Sequence, residues 1–373
     1  MNFIMATKTK NDGNTPRRNF IKNGIALGAA FSLNHINAFG GFEKEKNKES
    51  SDLSEKTKKL MALFNLKYPI FQAAPGGEKL AITLANAGAM GALSMTWASP
   101  EDTFDLVKKM KAATKGSFYG NYVLHFEPKS LDKALEAGMP CVQFSWGIPS
   151  KAIVAKIKAA NAKLGIQVAS KENAKAALDH SPDFLICQGV EAGGHVQANE
   201  PLLDSLKDVI VEAKEIPVLA SGGIASGHDI RNILNAGATG VVMGSRLIAT
   251  VESDIHDEYK QSLVDAGRNS TVFTTCFNGD WLALHRVLKN KTYKMWQAAG
   301  CPLEGNRPGE NEIVAKGHDG FTVKRYSTMP PFQWLNGNVT ELAMYAGKGV
   351  VNIKDIPSAN DLLIRLWKEF KNQ

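Results

Sequence analysis

From residue 68 to residue 243 the chain alternates short apolar runs with amphipathic segments, and this alternation, more than any other feature, limits what it can fold into. The apolar runs lie at 69–73, 92–95, 118–124, 141–145, 164–169, 183–186, 217–220 and 240–243, each followed by turn residues or by a segment with helical spacing. The clearest helix start is Ser99-Pro100-Glu101-Asp102, which offers an N-cap hydroxyl, a proline at the first helical position and acids in the first turn; Phe104, Val107 and Met110 then line one face. Eight strands alternating with helices over about 180 residues predict an α/β fold, a (β/α)8 TIM barrel, with a doubly wound open sheet as the alternative.

A barrel gathers the loops after its strands at one face, so residues remote in sequence converge there. The sixth run opens into Cys187-Gln-Gly-Val-Glu-Ala-Gly-Gly-His195. Its paired glycines allow positive φ and close approach to a ligand, and the imidazole of His195 moves protons near neutral pH. After the seventh run comes Ser221-Gly222-Gly223-Ile224, and after the eighth Gly244-Ser245-Arg246. Barrels commonly build a phosphate site from these two loops, where glycine amides face the anion with no side chain in the way. Neither Gly-x-Gly-x-x-Gly nor Gly-Lys-Ser/Thr occurs. Glu191 stands four residues before His195, a metal-ligand spacing on a helix, but Gly193-Gly194 disfavour a helix; a hydrogen bond bracing the loop is the preferred reading, and no metal is expected.

The net charge of +7 does not mark a nucleic-acid binder. The first 60 residues hold 11 Lys/Arg against 6 Asp/Glu, which leaves 33 against 31 in the remainder. That start looks like an address: Arg17-Arg18 precedes an uncharged stretch, 23–34, and then Ile36-Asn37-Ala38, in the manner of a twin-arginine export signal. The apolar stretch is too short for comfortable membrane insertion. The expectations are therefore a precursor handled by the twin-arginine translocase and a periplasmic location, with the cytoplasm as the alternative if the signal reading fails. Residues 43–59 alternate Glu, Lys and Ser and read as a solvated linker. Of the four cysteines, Cys141 and Cys187 read as buried thiols; pairing of Cys276 with Cys301 is left open.

The motifs Gln188-Gly-Val-Glu-Ala-Gly-Gly-His195, Ala220-Ser-Gly-Gly-Ile224 and Gly237-Ala-Thr-Gly-Val-Val-Met-Gly-Ser245, together with Phe144-Ser-Trp-Gly-Ile-Pro149 and Pro69-Ile-Phe-Gln-Ala73, resemble those of the nitronate monooxygenases. The resemblance implies a barrel holding FMN non-covalently, beside a smaller, mostly helical domain. It implies that Ser221, Gly222, Gly223, Gly244 and Ser245 bind the FMN phosphate. By the same resemblance Asn121, Gln143, Gln167 and Gln188 hydrogen-bond the isoalloxazine and ribityl groups, Ala73, Ala74 and Pro75 approach the ring through backbone, and Gly194 also lies against the cofactor. Where the family usually carries a methionine close after the first-strand proline, this chain has Pro75-Gly76-Gly77.

The resulting domain reading is an export signal over 1–40, a linker over 41–59, the barrel over 60–265, a helical cap over 266–345 and a C-terminal segment, 346–373, packing back on the barrel. The expected activity is FMN-dependent oxidation of alkyl nitronates, or of nitroalkanes, with O2 to a carbonyl compound and nitrite. His195 is the expected catalytic residue, as base toward a nitroalkane or, protonated, as a partner for the nitronate charge. His125, Trp97, Trp146, Phe277 and Trp334 are further candidates for the pocket wall. Two alternatives stand beside this: an NAD(P)H-dependent flavin reductase resembling the enoyl-acyl-carrier-protein reductases, which share Glu-Ala-Gly-Gly-His, and a flavin-binding protein without turnover.

Overall fold

In the computed structural model the described residues are 53–279 and 281–372. The export-signal reading, 1–40, and most of the linker reading lie outside them. Ser54 accepts the Thr57 N–H and so opens α1 (Glu55–Leu63), which covers the last residues of the segment read as linker.

The barrel strands are β1 (Ile70–Gln72), β2 (Gly91–Ser94), β3 (Phe118–Val123), β4 (Cys141–Ser145), β5 (Lys163–Val168), β6 (Phe184–Gln188), β8 (Val218–Ser221) and β9 (Gly240–Met243), all parallel and ordered β1-β9-β8-β6-β5-β4-β3-β2. The ring closes where Met90 pairs with Phe71: the Met90 N–H donates to the Ile70 carbonyl and the Gln72 N–H to the Met90 carbonyl, each at 2.9 Å. The doubly wound alternative is thereby excluded. Around the ring run α2 (Gly77–Ala87), α3 (Pro100–Ala113), α4 (Leu131–Glu136), α5 (Lys151–Ala159), α6 (Lys171–Leu178), α7 (Leu202–Ala213) and α8 (Gly227–Asn235). Serine caps recur at their starts: Ser99, Ser150, Ser170 and Ser226 each accept a first-turn amide, and Ser226 with Asp229 forms a reciprocal capping box. β6 continues two residues beyond the apolar run 183–186, because Cys187 and Gln188 still pair, with Ala220 and Ser221.

The floor of the barrel is filled from α1. Leu60 and Phe64 pack with Phe71, Tyr119, Phe184 and Val242, and the Phe64 ring meets those of Phe71 and Phe184 edge-on at 5.7 and 5.6 Å. The Phe64 carbonyl accepts the Ser117 hydroxyl just before β3, which fixes α1 at the N-terminal ends of the strands.

After β9 come α9 (Ser245–Ile248), α10 (Asp257–Val264), β10 (Thr271–Thr274), β11 (His285–Leu288), α11 (Lys291–Ala298), β12 (Ile313–Lys316), β13 (Thr322–Lys324), β14 (Asn336–Gly337) and α12 (Ala359–Lys371). The expected mostly helical cap is corrected here: residues 271–337 hold five strands and one α-helix. Trp281, Leu284 and Leu288 have helical spacing, yet residues 285–288 form the middle strand of an antiparallel sheet, between β10 and the two-residue β7 (Gly194–His195). A strand covered on every side shows no alternation, so periodicity cannot separate it from helix. The helix begins only at Asn290, whose side chain caps it. The C-terminal helix α12 returns to pack on α8 and α2.

Candidate active site

The loop from Gln188 to His195 is held from three directions. Glu191 accepts the Leu202 N–H on its carboxylate at 3.0 Å and the Lys348 N–H on its carbonyl at 2.9 Å; it braces the loop. Arg286 on β11 donates Nε and Nη2 to the Val190 carbonyl at 3.1 and 2.8 Å. The Gln188 side chain takes the Gln197 N–H at 2.8 Å and gives its Nε2 to the His195 carbonyl at 3.3 Å, while Gln167 donates to the Gln197 side chain at 2.6 Å. So fixed, Gly194–His195 adds to the edge of β11, with His195 opposite His285.

His195 lies among aromatic rings. Trp281 stacks on it at 4.2 Å between centroids and 27° between planes, Tyr345 is 5.4 Å away and His285 5.5 Å. The other side of Trp281 carries His125 at 5.3 Å and 21°, so the indole sits between two imidazoles; Trp146 meets it edge-on at 4.7 Å. The Nε2 of His195 is buried and has no hydrogen-bond partner among the described residues. Burial, and then the neighbouring His285, push its pKa down to about 3. The imidazole is therefore neutral at physiological pH, with one buried nitrogen left without a hydrogen bond.

His285 is fully buried, and both its nitrogens are used. Its Nε2 accepts the Phe277 N–H at 3.1 Å, so Nδ1 carries the proton that goes to the Ala283 carbonyl at 2.9 Å. Those partners flank Trp281 in the chain, at positions 277 and 283. Burial lowers the His285 pKa to about 4.

The loops after β8 and β9 form a cradle. Gly222 and Gly223 have φ of +134° and +72°, values that favour glycine, and their N–H groups have no partner among the described residues. A side chain at Gly222 would lie 3.1 Å from the Ala192 nitrogen, whereas beside Gly194 there is open space. Ser245 accepts the Gly347 N–H at 3.0 Å, and Gly349 packs so closely that a Cβ there would be 2.3 Å from the Gly223 carbonyl. Of the other expected contacts, the Ala73 N–H bonds the Met243 carbonyl, the Ala74 carbonyl accepts the Ser94 hydroxyl, and the Pro75 carbonyl accepts the Gln72 amide. Asn121 donates to the Gln143 side chain, which in turn donates to the Phe144 carbonyl.

His195 and every residue expected to hold the cofactor thus stand on a barrel strand or in the loop that follows one. The amides of Asn121 and Gln143 bond each other, while those of Gln167 and Gln188 both bond Gln197, in the loop beyond His195. Of the candidate aromatic walls, Trp146 and His125 meet Trp281, and Trp97 joins through Phe126; Phe277 supports His285 from behind. Trp334 packs away from the site against Phe321 and Phe332. The sequence reading did not assign Trp281, His285, Tyr345, Gly347 or Gly349 to the site. Gly347-Lys-Gly349 repeats the glycine spacing of a close backbone approach and was the one available signal.

A family model described as nitronate monooxygenase matches residues 126–369, about two thirds of the chain. The chain belongs to the nitronate monooxygenase family. Among curated proteins it is 29% identical over 239 residues to the (3aS,4S,5R,7aS)-5-hydroxy-7a-methyl-1-oxo-octahydro-1H-indene-4-carboxyl-CoA dehydrogenase of Mycobacterium tuberculosis, a match covering 62% of this chain and 66%, just under two thirds, of that protein. It is 26% identical over 269 residues to a probable nitronate monooxygenase of Staphylococcus aureus, covering 59% of this chain and 76% of the relative. Two solved structures share the fold at 24% identity and a TM-score of 0.67: FabK from Thermotoga maritima, covering 84% of this chain and 96% of that one, and the nitroalkane oxidase of Streptomyces ansochromogenes, covering 83% and 97%.

As a nitronate monooxygenase family member the protein is an oxidoreductase of a flavin-using kind. The residues present fit a flavin phosphate: unpaired amides at Gly222 and Gly223, and positive φ at both, are the donor set an anion needs. Among the described residues no helix is long and apolar enough to cross a membrane. Cys141, Cys187 and Cys276 are buried thiols, Cys301 is exposed, and none is bonded to another.

Proposed function

We propose that the protein binds FMN and oxidises alkyl nitronates with O2 to a carbonyl compound and nitrite. The observation that carries this reading is the buried, unpartnered Nε2 of a neutral His195, placed at the barrel mouth with the glycine cradle of the β8 and β9 loops. FMN would supply the electron acceptor; Ser221, Gly222, Gly223, Gly244 and Ser245 would hold its phosphate, with Ala73, Ala74, Pro75 and Gly194 against the ring. Asn121, Gln143, Gln167 and Gln188 would exchange part of their present hydrogen bonds, to one another or to Phe144, His195 and Gln197, for the ring and ribityl oxygens.

The low basicity of His195 favours the nitronate over the neutral nitroalkane. A base held neutral by burial is a weak acceptor for a carbon-bound proton, and a nitronate arrives already deprotonated. Its negative charge beside the imidazole would itself favour protonation, so His195 would pick up a proton as the anion binds.

A second reading is an NAD(P)H-dependent flavin reductase resembling the enoyl-acyl-carrier-protein reductases, and the sequence Glu191-Ala-Gly-Gly-His195 at the site is what favours it. Anaerobic mixing of the flavin-loaded protein with propyl nitronate, and separately with NADH or NADPH, decides between them. Bleaching of the flavin by the nitronate alone is expected; bleaching by pyridine nucleotide alone would replace the first reading by the second, and bleaching by neither would leave a flavin-binding protein without this chemistry. We further propose that Arg17-Arg18 directs export through the twin-arginine translocase to the periplasm. Cell fractionation of the wild type and of a doubly substituted Arg17→Lys, Arg18→Lys form tests it: equal distribution would end the proposal.

A further inference from the structure

Cys276 and Cys301 bracket the stretch of chain that carries Trp281 and His285, and the fold brings both against α11. Cys276 is buried in an apolar cluster with Tyr293 of that helix, and Trp296, one turn further on, packs against the same cluster. Cys301 stands just past the helix end, exposed. Its N–H donates to the Trp296 carbonyl at 3.0 Å, and the Trp296 indole N–H donates to the Pro302 carbonyl at 2.9 Å. Gly300 and Cys301 have φ of +82° and +57°, so two successive left-handed residues turn the chain back onto the helix. For a residue other than glycine that conformation persists only where its surroundings enforce it. Cys301 is thus held beside the turn of α11 that borders Cys276. Electrostatics agree with this placement: burial raises the Tyr293 hydroxyl pKa, and the charges of Cys301 and Cys276 raise it further. Burial also pushes the Cys276 thiol up, the Arg307 guanidinium opposes this, and Cys301 adds to it, as a neighbouring thiol does. The other two cysteines belong elsewhere, Cys141 on β4 and Cys187 on β6, in separate clusters.

We infer that Cys276 and Cys301 are an oxidisable pair, which a disulfide donor converts to a reversible disulfide bracing the cap. The exposed Cys301 reacts first: it gives its proton to solvent, its sulfur bonds one sulfur of the donor disulfide, and the other half of the donor leaves and takes up a proton. Cys276 then releases its proton and its sulfur attacks that of Cys301, expelling the second half of the donor, which is protonated in turn. Two S–S bonds are made and two broken in sequence; the protein thiols lose two electrons and the donor, reduced by two, ends as two thiols. The bond closes a covalent loop that contains Trp281 and His285, so it confines the segment stacked on His195 without adding a contact to the site. This holds for either reading of the activity.

The test equilibrates the flavin-loaded full chain with oxidised and reduced glutathione at stepped ratios, then blocks free thiols with N-ethylmaleimide under denaturing conditions and maps the peptides by mass spectrometry. A peptide pair linked through Cys276 and Cys301, with Cys141 and Cys187 still blocked as free thiols, is expected to grow as the ratio becomes more oxidising and to vanish on adding excess reduced glutathione. No linked pair at any ratio, a link through Cys141 or Cys187, or glutathione that stays on Cys301 without passing to the internal bond would each overturn the inference. Urea denaturation of the same samples reads the bracing. Closing a loop of this length predicts a rise in midpoint of roughly 0.5–1 M in the linked protein. Cys301→Ser, a change at the exposed partner, is expected to keep the midpoint of the reduced wild type at every ratio. A linked protein no more resistant than the reduced one, or a Cys301→Ser protein that gains the same resistance, would overturn the bracing.

Discussion

The Nε2 of His285 accepts the Phe277 N–H at 3.1 Å, and because that nitrogen is an acceptor it cannot be protonated without breaking the bond. Its pKa in the folded protein, about 4, lies below the 6.5 of a free histidine, so folding favours the neutral form. The corresponding stability is present above about pH 6.5 and is lost as pH falls toward 4, up to roughly 3 kcal/mol in total. His285→Gln removes this dependence. Urea midpoints at steps between pH 7 and 4 should show the gap between wild type and variant closing on the acid side; parallel curves would contradict the assignment.

Replacement of His195 by Asn should separate two substrates. Turnover of a neutral nitroalkane still needs a base, and because burial makes the imidazole a weak one, its loss should lower an already small kcat/KM for nitroethane by about 10²-fold, the low end of general-base contributions. Ethyl nitronate needs no base, and its kcat/KM should fall much less. Equal losses on both would show that His195 serves binding or flavin chemistry alone.

The cradle can be broken without touching its own residues. A methyl group at Gly349 would sit 2.3 Å from the Gly223 carbonyl and must displace it. Gly349→Ala is expected to weaken FMN binding at least tenfold, and Gly223→Glu, which puts a carboxylate where the phosphate would lie, to give colourless protein. Flavin absorbance relative to protein absorbance after purification measures both. A fully yellow Gly223→Glu protein would remove the phosphate assignment.

Within the cap, Arg325 donates to Glu341 and to Glu312 while itself buried, and Glu341 also accepts Lys291 at 2.7 Å. Glu341→Ala leaves a buried guanidinium with one partner fewer, which typically costs about 3 kcal/mol or more. Chemical denaturation should register this loss, with Glu341→Gln closer to the wild type because it keeps an acceptor for Arg325.

How legible the molecule was depended on whether a feature was local. The eight barrel strands could be read because each is a short apolar run closed by turn residues, and the cap at Ser99 marks a helix start by chemistry confined to four residues. The Gly222-Gly223 and Gly244-Ser245 loops could be placed together because a barrel brings consecutive strand ends to one face. β11 could not be read, since its hydrophobic spacing suits helix and only pairing with Thr271–Thr274 and with His195 makes it a strand. The stack of Trp281 between His195 and His125 joins positions up to 156 residues apart, and nothing near any of them announces the other two. The hydrogen bonds from Gln167 through Gln197 to Gln188 were hidden for the same reason, although Gln167 and Gln188 themselves were already in view.

The floor of the barrel has a consequence for traffic. With Leu60 and Phe64 of α1 wedged among Phe71, Tyr119 and Phe184, the far end is sealed by packed rings. Whatever reaches His195 arrives through the mouth and departs by the same opening. A molecule leaving and one arriving therefore contend for a single doorway.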